Sequence, residues 1–155
     1  MIPNGVRLRW TEGKPVINGW LSTSSAFVAE IMSAQGYDSL TIDLQHGLVG
    51  YEAATAMLQA MRASGVTPMV RVPWLDPGDI MKALDAGAYG IICPMINSRA
   101  EAERLISYMH YPPQGQRSFG PTRAIFAAGA DYGQKADDEI LAFAMIETAE
   151  AMKNL

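Results

Sequence analysis

The sequence predicts an α/β protein, a (β/α)8 barrel of the TIM type, of which this chain supplies about the first five β/α units. Three observations predict it. Short apolar runs alternate with helix-patterned segments along the whole chain. The runs are apolar on both faces, as in Ile91-Ile92-Cys93, which is the pattern of a buried parallel sheet. Polar residues gather at or just after the C-terminal ends of these runs: Trp20 and Ser22, Asp43 and His46, Arg71, Glu147. In a barrel those ends meet at one mouth, so residues distant in sequence converge there. A doubly wound sheet is the competing arrangement. No Gly-x-Gly-x-x-Gly follows the first strand and no Walker-type loop is present, which weighs against nucleotide binding.

The elements follow in order. Val16 to Leu21 is a short apolar strand, after which Ser24 or Ser25 caps a helix that ends at Gly36. Ser39 to Leu44 is the second strand. Tyr51 to Ser64 carries Ala54, Met57, Leu58 and Met61 at helical spacing, with Gly65 as its stop. Thr67 to Val72 is the third strand. Asp76-Pro77 sets a capping carboxylate before a proline at the first helical position, and that helix stops at Gly87. Tyr89 to Met95 is the fourth strand. Ser98-Arg99-Ala100-Glu101 fits a capping box, and Pro112-Pro113 breaks the helix it opens after about His110. An irregular stretch leads to a fifth strand, Ile140 to Ile146, and a helix begins near Ala149.

Composition narrows the partners. The 155 residues are 49% apolar and 18% charged, which makes a globular domain rather than a disordered chain. A net charge of -4 argues against nucleic acid as the main partner, because phosphate binding needs clustered Lys and Arg. No apolar run is long enough to span a membrane. The N-terminus has no charged start followed by an apolar stretch, so no signal peptide is expected. A single cysteine makes no internal disulfide and agrees with a reducing cytoplasm. Cys93, inside a strand, reads as a buried inert thiol.

The chemistry-bearing residues lie at the strand ends. In Asp43-Leu44-Gln45-His46-Gly47 a carboxylate and an imidazole stand three apart, and Asp43 could fix the His46 tautomer and raise its basicity. The alternative is a loop histidine beside a helix-capping carboxylate. Arg71 is a cation in an apolar strand, so it must be paired, either within the protein or with an anionic ligand. Glu147 closes an apolar strand and could ligate a hard cation, act as a general acid, or favour the next helix's N-terminus. Trp20 either lines a pocket or packs in the core. Arg117 and Arg123, in the irregular stretch, have either a substrate role or a surface role.

Taken together, Gly19-Trp20-Leu21-Ser22, Ile42-Asp43-Leu44-Gln45-His46-Gly47, Val70-Arg71-Val72-Pro73, Tyr111-Pro112-Pro113-Gln114-Gly115-Gln116-Arg117 and Ile146-Glu147-Thr148-Ala149-Glu150-Ala151-Met152 resemble the HpcH/HpaI aldolase family. These are class II pyruvate aldolases of the 4-hydroxy-2-oxoheptanedioate type. The resemblance runs from about Asn18 to Leu155 and is specific as a set. It implies a divalent cation (Mg, Mn or Co) held by Glu147 and by a second carboxylate in a Gly-Pro-x-Asp-Leu motif, a motif that does not occur up to Leu155. It implies that Arg71 stabilises the keto or enolate oxygen and that His46, with Asp43, moves the proton. Gln45 and Trp20 are then substrate-side residues. The expected reaction is cleavage of a 4-hydroxy-2-oxo acid to pyruvate and an aldehyde, in a homo-oligomer. Gln45 departs from the Glu that many relatives carry there, and Met145 from the Gln that some carry two places before the metal glutamate.

A complete barrel usually needs about 250 residues, so 155 suit a single domain forming the barrel's N-terminal part. Two other functions stand beside the aldolase: a non-catalytic, oligomerising remnant, or a related acyl-CoA lyase.

Overall fold

The computed structural model describes residues 1–155. Five strands form one parallel sheet in the order β1-β2-β3-β4-β5: β1 Asn18–Leu21, β2 Ser39–Asp43, β3 Thr67–Arg71, β4 Gly90–Cys93 and β5 Leu141–Ala144. The eight helices are α1 Gly5–Thr11, α2 Ala26–Ser33, α3 Tyr51–Met61, α4 Pro77–Asp85, α5 Arg99–Met109, α6 Thr122–Ala128, α7 Tyr132–Glu139 and α8 Ala149–Lys153. Each strand sits beside its sequence neighbour. A doubly wound sheet must reverse its order once. A strictly sequential order with crossovers of one hand lays the crossover helices on one face, as in a barrel wall.

Period-2 alternation separates the two faces of that wall. Leu40 and Ile42 of β2, Val70 of β3, and Ile91 and Cys93 of β4 point outward and are buried against Met57, Leu58, Ile80, Leu84 and Leu105 of the helices. The other phase of β2 is polar. Ser39 and Thr41 donate their hydroxyls to Asn18 Oδ1 of β1 at 2.8 and 3.1 Å. The hydrophobic core is therefore the layer between sheet and helices, and the inner face carries the polar groups.

The helix caps follow the sequence. Ser25, Asp76, Ser98 and Thr148 each accept from main-chain amides of their own first turns. Gly36, Gly65 and Gly87 follow the helices they stop, with φ of 84°, 79° and 106°, backbone that only glycine adopts without strain. The strands are one to three residues shorter than their apolar runs; Leu44, Val72 and Met145 donate to neighbouring strands as single bonds beyond the ladder.

Two regions differ from expectation. The stretch read as irregular contains α6 and α7. Neither has a side-chain cap, and α7 buries only Tyr132 and Ala136, one turn apart, so its pattern was too sparse to register. The N-terminal segment forms α1, capped by Asn4, whose side chain also donates to the carbonyls of Tyr89 and Glu139. A helix of 7 residues with one buried position carries no detectable period.

Candidate active site

The C-terminal strand ends bring the expected residues to one place. β2 and β3 are in register such that Asp43 stands opposite Arg71. Their side chains form a two-point ion pair: Arg71 Nε donates to Asp43 Oδ1 at 2.9 Å and Nη2 to Oδ2 at 2.6 Å. Asp43 is only 3% exposed. Its carboxylate also accepts from the main-chain amides of Gln45 and His46 at 3.0 and 3.2 Å and from the Trp20 indole at 3.3 Å. Burial alone would raise its pKa. The Arg71 guanidinium, the His46 amide, the indole and the Gln45 amide outweigh that and hold the carboxyl well below the usual carboxylate range. The Trp20 ring lies over Arg71, 5.0 Å from the guanidinium carbon, so the cation is fixed by a carboxylate on one side and an aromatic face on the other.

This geometry corrects the expected Asp43–His46 dyad. Asp43 receives the His46 main-chain amide, while the imidazole makes no hydrogen bond to it and is exposed. The reason is local. Gln45 and His46 fold back over the carboxylate, tying the loop to the strand end, and Gly47 packs against the Asp43 carbonyl where a Cβ would collide. Asp43 therefore positions Arg71 and the loop, leaving the His46 ring free above them. Gln45 is half-buried, and its Oε1 is a buried acceptor with no protein donor.

Glu147 follows β5 on the same rim. Its Oε1 accepts from the Met95 amide at 2.8 Å and its Oε2 has no protein partner. Met95 has φ 56°, an unusual backbone for a non-glycine residue, and this turn aims its N–H at Glu147. Asn97 and Thr148 pair through their side chains beside it, joining the loops after β4 and β5. The charge of Glu147 acts on Arg71 in the same sense as Asp43 does, raising the guanidinium pKa, though less than the Asp43 hydrogen bonds do. Met95, Asn97 and Thr148 had not been singled out from the sequence. The strand expected to run to Met95 ends at Cys93, and Pro94 is the local signal that marks its end.

A divalent cation would find one open carboxylate oxygen here, Glu147 Oε2. Asp43 is saturated by five donors, and no three His, Cys, Asp or Glu side chains converge anywhere. That donor set suits an oxygen-ligated cation with positions left for substrate and water. It does not suit a closed site of Cys and His.

Arg117 and Arg123 are away from this rim. Arg117 is buried, donates to Asp85 and to the Tyr132 hydroxyl, and lies over the Tyr111 ring. Arg123 donates to the Ala86 carbonyl at the end of α4. Cys93 is fully buried, and burial pushes its thiol up to about 12, as expected for an inert side chain. No helix is long and apolar enough to cross a membrane.

Residues 17–155 match the HpcH/HpaI aldolase/citrate lyase family. The chain belongs to that family. Among HpcH/HpaI relatives, it is 46% identical over 152 residues to the hydroxypyruvate/pyruvate aldolase of Rhizorhabdus wittichii, covering 98% of this chain and 61% of the relative. It is 36% identical over 155 residues to the 4-hydroxy-2-oxo-heptane-1,7-dioate aldolase of Shigella flexneri, covering 98% and 58%. The crystal structure of an HpcH/HpaI aldolase/citrate lyase family protein from Burkholderia cenocepacia superposes with a TM-score of 0.89 at 29% identity, covering 97% of this chain and 62% of that one. The chain thus spans about three-fifths of the length of these relatives.

Proposed function

We propose that this chain carries the first half-ring of a metal-dependent pyruvate aldolase site, one that cleaves a 4-hydroxy-2-oxo acid to pyruvate and an aldehyde. The observation that carries the reading is the Asp43–Arg71–Trp20 cluster at the strand ends, on the same rim as Glu147 after β5. The names of the curated relatives support the same chemistry.

Arg71 spends Nε and one Nη2 hydrogen on Asp43, which leaves Nη1 and the other Nη2 hydrogen for a ligand. An anionic or developing-anionic oxygen at the substrate's 2-oxo position meets a donor already oriented and nearly dehydrated. Glu147 Oε2 would hold the cation, which when bound supplies Lewis-acid polarisation of the oxo acid. His46 is exposed beside this cluster and takes the proton from the 4-hydroxyl as the C3–C4 bond breaks. The bonding pair passes to C3 and the 2-oxo oxygen, the aldehyde departs, and a proton returned to C3 completes pyruvate. No lysine lies at a strand end, so a Schiff-base route has no candidate amine on this chain.

The test uses this chain joined to the remaining strands of a relative's barrel. Pyruvate release from a 4-hydroxy-2-oxo acid is followed with Mn²⁺ present. His46→Ala is expected to lower turnover on the order of 10²–10⁴-fold, the size of a lost acid-base group. Wild-type turnover in that variant would remove His46 from the reaction.

A further inference from the structure

A second cation-lined feature lies at the opposite end of the sheet. Between α3, α6 and the starts of β3 and β4 is a cavity of about 130 Å³. Its walls are largely apolar: Ile2, Leu58, Met61, Val66, Tyr89 and Ala127. Two guanidinium groups, Arg62 and Arg123, line it as well. Neither is paired with a carboxylate. Arg62 Nη2 donates to the Phe126 carbonyl at 2.7 Å and Arg123 Nη1 to the Ala86 carbonyl, so each keeps free donors. Their charges oppose one another, and with burial that lowers the Arg123 pKa. Arg62 is exposed and Arg123 half-buried, so the half-buried cation, which has no carboxylate partner and a second cation beside it, gains most from a nearby anion.

The arrangement is built rather than incidental. Gly87, at φ 106°, leaves space that a Cβ would take from Arg123 Nη1. Arg62 closes α3 one turn after Leu58, and Arg123 lies one turn before Ala127 on α6, so each helix presents a cation and an apolar residue to the same space. The walls come from α3 and α6, from the turns that lead into β3 and β4, from the start of β3 and from the N-terminal segment around Ile2 and Pro3. All of these residues belong to this chain, and the cavity lies about one strand length, ~15 Å, from the aldolase rim.

We infer that this cavity binds a small monocarboxylate with an apolar body, its carboxylate between Arg62 and Arg123 and its hydrocarbon part against Leu58, Met61 and Val66. The volume suits a body of about six carbons, since an apolar cavity of ~150 Å³ holds benzene. Guanidinium groups bind carboxylates at two points, and the apolar walls favour an organic anion over an inorganic one.

Benzoate is the probe, titrated into the 155-residue chain and read by protein NMR shifts at Leu58, Met61 and Val66. Saturable shifts there are expected. Arg62→Gln should weaken binding about tenfold or more, the worth of one charge-assisted hydrogen bond. Ala127→Leu should fill the space and abolish binding while leaving both cations in place. Arg71→Lys, which acts at the rim, should leave the benzoate shifts unchanged, so this test stands apart from that of the aldolase reading. Equal binding of benzyl alcohol would show that the arginines contribute nothing. Equal binding of inorganic phosphate would show that the apolar walls contribute nothing. Either result, or no shift at these residues, overturns the inference.

Discussion

At the scale of single residues, Asp43 carries both stability and chemistry. It is buried, and Arg71 beside it is mostly so, which makes removal of one partner expensive for the other. Asp43→Ala is expected to destabilise the fold by about 3 kcal/mol, measured by urea unfolding. The pH dependence has a definite sign. The folded pKa lies well below the ordinary 3.8, so this stabilisation is fully present above about pH 4. It is lost as pH falls toward the folded value, when the unfolded chain takes up the proton first. Asp43→Asn should therefore flatten the acid limb of the stability curve, and an unchanged limb would show that another carboxylate dominates it. Arg71→Lys keeps the charge but loses the two-point fork, so exchange of the pyruvate methyl protons in the completed enzyme should remain impaired. Exchange at the wild-type rate would assign the oxygen-stabilising role to another group. The sequence located Asp43, His46, Arg71 and Glu147 at strand ends because charge in an apolar run is visible in one dimension. It did not reveal that Asp43 serves Arg71 instead of the His46 ring, because that depends on the β2–β3 register. The clue was present all the same: two adjacent parallel strands each end on a charge, of opposite sign.

At the scale of elements, the caps and stops decide where the chain turns. Asp76 is exposed and accepts from the amides of Gly78 and Asp79 at 2.8 and 3.1 Å, ahead of a proline that has no amide to satisfy. Asp76→Ala is expected to cost about 1 kcal/mol in unfolding free energy with little effect on the rim. A loss above roughly 3 kcal/mol would mean that the loop after β3 depends on this residue for more than capping. Such signals made α2, α3, α4 and α5 legible, since each has a capping side chain or a terminal glycine together with an apolar face. The helices α1, α6 and α7 were not, because they are short and their buried positions are few. They are held by tertiary bonds instead. Glu139 Oε2 accepts from the Asn4 amide at 2.7 Å, across 135 residues, a contact that no local window contains.

At the scale of the whole molecule, the sheet has two open edges. β1 and β5 each have one strand neighbour, and the inner face near them leaves Trp20 42% exposed. On the outer side, α2 presents Phe27 at 69% and Ile31 at 45% exposure. Unpaired strand edges beside apolar surface promote pairing with further chains, so the 155-residue polypeptide is expected to self-associate, as analytical ultracentrifugation would show. Its metal affinity follows from counting donors. Mg²⁺ or Mn²⁺ prefers about six oxygens and is usually held by one or two carboxylates with substrate and water. Among carboxylates this chain offers only Glu147 Oε2, at an exposed position, because Asp43 is committed to Arg71, Trp20 and two amides. Water competes well against a single exposed carboxylate. Calorimetric titration with Mn²⁺ should therefore detect weak binding, and the addition of pyruvate, which brings two further oxygens, should strengthen it. Joining the chain to the strands that complete a relative's barrel should recover both metal affinity and turnover. Tight, stoichiometric Mn²⁺ binding by the 155-residue monomer without pyruvate would mean that a donor other than Glu147 belongs to the site. The commitment of Asp43 to Arg71, Trp20 and the two loop amides would then be the first assignment to go.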